Sequence, residues 1–150
     1  MANTFTQIYI MVVFSVSGRI CLIGNTWKDE LYKYITGIIK SKNQKLIAIN
    51  GAGDHIHILL GIKPNIALSD LVRDIKANSS RFINEKKFIK GKFIWQKGFG
   101  GFSYSHSQLS SVIKYIENQE EHHKIKTFKE EYLELLEKFG IEYEIKYLFN

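Results

Sequence analysis

Lys45-Leu46-Ile47-Ala48-Ile49-Asn50, then Gly51-Ala52-Gly53-Asp54, then His55-Ile56-His57-Ile58-Leu59-Leu60-Gly61-Ile62 is the stretch that decides the architecture. The outer runs are aliphatic, β-branched and of strand length, and the middle carries two glycines and an aspartate, so the whole reads as a β-hairpin. The glycines are expected to supply the positive φ of a tight turn. Alternate side chains of a strand share a face, so the imidazoles of His55 and His57 project side by side. Among core-like Ile56, Ile58, Leu59 and Leu60 they form a rigid clamp suited to a metal ion. The competing use is a pair of partly buried histidines satisfied by hydrogen bonds.

Working outward, Gln7–Val16 has no helical stripe and reads as a central strand buried on both faces. Ser17-Gly18 turns into a short strand over Arg19–Ile23. Trp27, Leu31, Tyr34, Ile35, Ile38 and Ile39 follow helical spacing to Lys42, with Asn25 or Thr26 as the cap. Ser69 is placed to cap a second helix with Leu71, Val72, Ile75, Phe82 and Ile83 on one side. Phe93–Tyr104 mixes aromatics with glycines and is expected as short bent strands. Ser107 caps a third helix running to about Glu121. Thr127-Phe128-Lys129-Glu130 is a capping box for a last helix, Gly140 fits its C-cap, and Ile141–Phe149 reads as an extended tail. The order predicts an α+β domain over residues 1–150, an antiparallel sheet with helices against one face.

The net charge is +6, and the segment Lys63–Lys97 alone holds nine lysines and arginines against three acids. That concentration points to a polyanion. Arg73, Lys76, Arg81 and Lys86 are the candidate phosphate contacts, and Trp95, Phe99, Phe102 and Tyr104 the candidates for stacking on unpaired bases. The alternative is a solvated helix face and ordinary core aromatics. The single cysteine, Cys21, excludes an internal disulfide and suits a reduced cytoplasm. Met1-Ala2-Asn3-Thr4 lacks the basic start of a signal peptide, and the apolar run Ile8–Val16 is about half the ~20 residues a membrane span needs.

Tyr115 and Gln119, four apart on the third helix, share a face and place a phenol beside an amide oxygen. Two imidazoles and an amide would leave open positions on a divalent ion, the mark of a catalytic rather than structural site. A free phenol has a pKa near ~10 and needs such help to act as a nucleophile. His122 lies near the same face, but a helix C-terminal cation is the expected role for His122 and His123. His106 is a loop histidine without an assigned role. The acids of Glu130–Glu137 read as a solvated helix face.

The blocks Asp54-His55-Ile56-His57, Lys76-Ala77-Asn78-Ser79-Ser80, Phe102-Ser103-Tyr104-Ser105 and Tyr115-Ile116-Glu117-Asn118-Gln119, followed by His122-His123, together resemble the single-tyrosine HUH transposases of the insertion-sequence 200/605 type. The resemblance spans nearly the whole chain. It implies a ferredoxin-like or RNA-recognition-like fold, His55, His57 and Gln119 as ligands of Mg²⁺ or Mn²⁺, and Tyr115 as the nucleophile that forms a 5′-phosphotyrosine. It further implies a homodimer that acts on single-stranded DNA with hairpin ends, with His55 and His57 facing Tyr115 in cis or in trans. Two rival readings stay open. A non-catalytic nucleic-acid-binding module explains the charge but not the histidines, and a metal phosphoesterase leaves Tyr115 as packing.

Overall fold

The computed structural model describes residues 3–149, so Met1 and Ala2 of the stretch read above for a leader lie outside the described residues. Strands β1 (Tyr9–Ser15), β2 (Lys45–Ala52), β3 (His55–Gly61) and β4 (Gly100–Tyr104) form one sheet in the order β2-β3-β1-β4, antiparallel at every seam. The register pairs Val13 with His57 and Ser15 with His55 across β1 and β3. Central β1 is sealed on both sides, as its apolar run requires: Met11, Val12, Val13 and Phe14 are fully buried.

Two cores follow from the period-2 alternation of the strands. Val12, Phe14, Ile56, Ile58 and Leu60 face α1 (Lys28–Ser41) and α2 (Leu68–Lys86). These helices meet through stacked Tyr34 and Phe82, with ring centroids 4.1 Å apart. They are the expected helical layer. The opposite face is not left open. Met11, Val13, Leu59 and Phe102 pack against α3 (Leu109–Glu117) and α5 (Phe128–Lys138), and His55 and His57 stand on this second face. Phe128, Tyr132, Leu135 and Leu136 of α5 each contribute roughly 1.5–3 kcal/mol on burial. That is enough to hold the helix on the sheet.

Several local expectations are corrected. The hairpin turn uses no positive φ at Gly51 or Gly53. Gly51 is required instead by close approach, because a Cβ there would stand 2.1 Å from the His55 carbonyl oxygen. Residues Arg19–Ile23 form no strand: a 3-10 turn over Ser17–Arg19 follows β1 and no further strand comes before α1. Neither Asn25, Thr26 nor Ser69 caps a helix, the N-cap positions being Trp27 and Ala67 without side-chain caps. The third helix begins at Ser105, not Ser107, with the Gln108 side chain accepting from the Ser105 N–H at 2.8 Å, through a 3-10 turn over His106–Gln108. It then breaks at Asn118, and α4 (Gln119–His122) continues from there. The Thr127 capping box and the left-handed Gly140 are as expected. The tail is not wholly extended: α6 (Ile145–Leu148) forms, tied down by Gln96 Nε2 donating to the Leu148 carbonyl at 3.2 Å.

Trp95 and Phe102 are core residues rather than stacking platforms. Trp95 donates its indole N–H to buried Ser79 at 2.9 Å and packs edge-on against Phe14. Phe102 lies against Phe139. Among the described residues no helix is long and apolar enough to cross a membrane.

Candidate functional site

The site lies between the second face of the sheet and α3, α4 and α5. His55 and His57 project from β3 and are fully buried, their ring centroids 5.1 Å apart. Asn50, on the neighbouring strand β2 and in register with His57, donates to the carbonyls of Ile116 and Glu117 at 3.0 and 3.1 Å. It satisfies the orphan carbonyls where α3 stops. The break at Asn118 is thereby tied to the sheet, and Tyr115 and Gln119 are held over the histidines from either side of it. The Tyr115 ring stands edge-on to His57 at 5.5 Å between centroids.

The donors and acceptors of the pocket converge on one point. His55 Nδ1 lies 2.7 Å from Asp54 Oδ1 and donates to it, which fixes the ring. The Asp54 carboxyl is held low: burial pushes it up, but the hydrogen bond and charge of His55 outweigh that. With Nδ1–H committed to Asp54, His55 Nε2 faces two further acceptors, Gln119 Oε1 at 3.1 Å and Glu131 Oε1 at 3.5 Å. The Gln119 amide cannot simply turn round, because its Nε2 donates to Glu131 Oε2 at 3.2 Å and to the Tyr115 carbonyl at 3.3 Å. These converging acceptors are satisfied by a second proton on His55, and a divalent cation at the same point satisfies them in its place.

Glu131, on α5, is the hub. It is 2% exposed. Its Oε1 lies 3.0 Å from His57 Nε2 and 2.9 Å from His123 Nε2, and its Oε2 accepts the Tyr115 hydroxyl. Burial pushes its carboxyl up to about 7, against the pull of His55. Burial, reinforced by the charges of His55 and His122, holds His57 well below its ordinary value and takes His123 down to about 3. Neutral imidazoles are the form that binds metal. Ligand atoms of His55, His57, His123 and Glu131 all lie within 4.8 Å of one another. Octahedral bonds of ~2.1 Å put adjacent ligand atoms about 3.0 Å and opposite ones about 4.2 Å apart, and the cluster, with Glu131 Oε1 at 2.9, 3.0 and 3.5 Å from the three imidazoles, has the size such an ion needs. His57 Nδ1 is buried without a partner among the described residues.

Two expectations about this region are corrected. Glu130, Glu134 and Glu137 are exposed as expected, but Glu131 is not part of that solvated face: it falls on the stripe of Phe128, Tyr132 and Leu135 and is carried inward with it. A glutamate on an apolar helical stripe was the available signal for it. His122 and His123 are not helix-terminal cations, since burial lowers both. Both reach the site, His122 Nε2 standing 3.4 Å from Glu131 Oε2. Asn50 carried no sequence signal, because its role depends on where α3 ends. His106 stands apart against Tyr9, at 6.1 Å between rings.

The basic candidates lie elsewhere. Arg73, Lys76, Arg81 and Lys86 belong to α2, on the far side of the sheet from His55 and His57. Arg73 is exposed and paired with Asp70 at 3.3 Å, Arg81 donates to the Asn78 side chain, and the Lys86 ammonium stands 6.0 Å from the Phe82 ring. Lys76 is turned inward, donating to the carbonyls of Gln96 and Gly98 above the Phe14 ring. Arg73, Lys76, Lys92 and Lys97 line a cavity of about 650 Å³ with Phe93, Trp95 and Phe99.

Comparison with known proteins identifies the family and the fold. The family described as "Transposase IS200 like" matches residues 4–119. The ISDra2 transposase TnpA of Deinococcus radiodurans is 24% identical over 118 residues, covering 75% of this chain and 84% of that protein. Two solved structures share the fold. A crystal structure described as a transposase of Deinococcus radiodurans R1 has a TM-score of 0.65 at 21% identity, covering 79% of this chain and 95% of that one. A REP-associated tyrosine transposase bound to a REP hairpin has a TM-score of 0.62 at 14% identity, covering 82% and 73%. With the family matching more than three quarters of its length, the chain belongs to the IS200-like transposases.

Proposed function

We propose that this protein cleaves and rejoins single-stranded DNA at hairpin-marked ends through a covalent bond to Tyr115, the chain 1–150 acting as one unit. The observation that carries the reading is the convergence of the Tyr115 phenol with His55, His57 and Gln119 on one buried, acceptor-rich point. His55, His57 and Gln119 would hold a divalent ion, Mg²⁺ or Mn²⁺, which when bound polarises a phosphate oxygen and steadies the charge that builds on it.

Attack by the Tyr115 oxygen on a backbone phosphorus forms a 5′-phosphotyrosine and breaks the bond to the 3′ oxygen. The phenol gives up its proton and the departing 3′ oxygen takes one up. A 3′-hydroxyl attacking the ester reverses the exchange and joins strands, so one phosphoester replaces another at each step and no nucleotide cofactor is needed. Arg73, Arg81 and Lys86 support binding through phosphate contacts in this reading, Lys76 being committed instead to the Gln96 and Gly98 carbonyls, and a homodimer belongs to it.

Incubation with single-stranded hairpin DNA and Mn²⁺ or Mg²⁺, followed by denaturing electrophoresis, tests it. Wild type forms a denaturation-resistant adduct, while Tyr115→Phe and His57→Ala do not. Hydrolysis without an adduct favours a phosphoesterase, and binding without cleavage a non-catalytic module. Either result overturns the proposal.

A further inference from the structure

The family match ends at Gln119. Yet two groups that meet the β3 histidines at the same point, His123 and Glu131, come from the chain beyond it. We propose that Glu131 and His123 are ligands of the same divalent ion as His55 and His57, making a cage of three imidazoles and one carboxylate when α5 lies on the sheet. The inference rests on the metal site of the reading above and changes its composition.

Three observations carry it. His123 Nε2 and His57 Nε2 lie 2.9 and 3.0 Å from one oxygen, Glu131 Oε1, and His55 Nε2 lies 3.5 Å from that same oxygen. The four groups are therefore already gathered around a common centre rather than arranged as a chain. The rings are fixed from outside the cluster, His55 by Asp54 and by stacking on Phe128, which is itself part of α5. Finally, α5 reaches its place through a capped start at Thr127 and an apolar stripe on either side of Glu131, so the carboxylate is delivered by the fold and not by a flexible arm.

The carboxylate has two oxygens with separate duties. Oε1 faces the imidazoles, while Oε2 accepts the Tyr115 hydroxyl and the Gln119 amide. With Oε1 as ligand, Glu131 links the ion to the phenol and fixes Tyr115 beside it. Gln119 then serves as the group that orients Glu131, the kind of outer contact whose loss costs on the order of 10–100-fold in affinity. Three imidazoles favour ions that accept nitrogen ligands, Zn²⁺ and Co²⁺ most and Mn²⁺ less, over Mg²⁺, which is held mainly by oxygen.

The test is titration of the full-length protein with Mn²⁺ and Mg²⁺ by calorimetry, and with Co²⁺ by visible absorption, which reads coordination directly. Glu131→Gln and His123→Asn should each weaken Mn²⁺ at least tenfold and change the Co²⁺ spectrum, and wild type should bind Mn²⁺ at least tenfold more tightly than Mg²⁺. Circular dichroism confirms folding, and Glu131→Asp, which keeps the charge but shortens the reach, should weaken Mn²⁺ by an intermediate factor if Glu131→Gln fails to fold. If His57→Ala abolishes binding while His123→Asn and the Glu131 variants stay within twofold of wild type, the cage is overturned and the transposase reading stands. If His57→Ala binds as wild type does, the metal site of that reading fails as well.

Discussion

Tyr115 on α3 donates its hydroxyl to Glu131 on α5, sixteen positions away, inside the crevice that also holds His57 and His123. The phenol and the metal-binding point therefore share one buried carboxylate. Whatever moves α5 moves the acceptor of the Tyr115 hydroxyl with it.

Replacing that carboxylate by an apolar side chain should cost stability. Glu131→Leu leaves the Tyr115 hydroxyl, the Gln119 amide and two imidazole nitrogens facing hydrocarbon in the interior, and truncating one member of such a buried network costs about 3–5 kcal/mol. Urea denaturation should show a midpoint shift of that size; a midpoint equal to wild type contradicts the network.

Gly51→Ala attacks the site through the backbone. The added Cβ meets the His55 carbonyl oxygen at 2.1 Å, so the hairpin has to shift and carries His55 and His57 with it. We expect a loss of about 1–3 kcal/mol by overpacking, together with weaker Mn²⁺ binding. Ala52→Gly, one position on, is the control and should leave the metal affinity close to wild type.

Arg73→Ala and Arg81→Ala should weaken hairpin binding and lower the slope of log affinity against log salt by about one unit per lost phosphate contact. Fluorescence anisotropy at several salt concentrations measures this. Unchanged slopes in both variants assign α2's outer surface to solvent.

Lys76 titrates in an unusual range because burial lowers its ammonium to about 8. The unfolded chain, near the ordinary ~10.4, holds the proton more tightly between those values, so stability rises with pH across that window and the cost of burying the charge is present in full below it. Partial solvent access keeps the slope below about 1 kcal/mol per pH unit. Lys76→Met should flatten it, as followed by thermal melts at pH 7.5, 8.5 and 9.5; parallel curves for both proteins exclude the buried ammonium as its source.

Strand alternation alone specifies the β3 clamp, because two imidazoles at i and i+2 have no choice but to share a face. Apolar periodicity, the Thr127 capping box and the Gly140 C-cap likewise specify much of the sheet-and-helix order, but not the break at Asn118 that sets Tyr115 and Gln119 on two helices. Tertiary structure decided what meets that clamp. In sequence Glu131 is one acid in an acidic helix, and only the packing of α5 on the sheet carries it inward; the break at Asn118 rotates the last turn so that His123 as well as His122 reaches the site. Lys76 and Trp95 carry the residue types of a nucleic-acid surface, yet they spend their polar atoms on Gly98, Gln96 and Ser79 inside the protein. Periodicity fixes which way a side chain leaves its own element; only packing between elements fixes what it finds there.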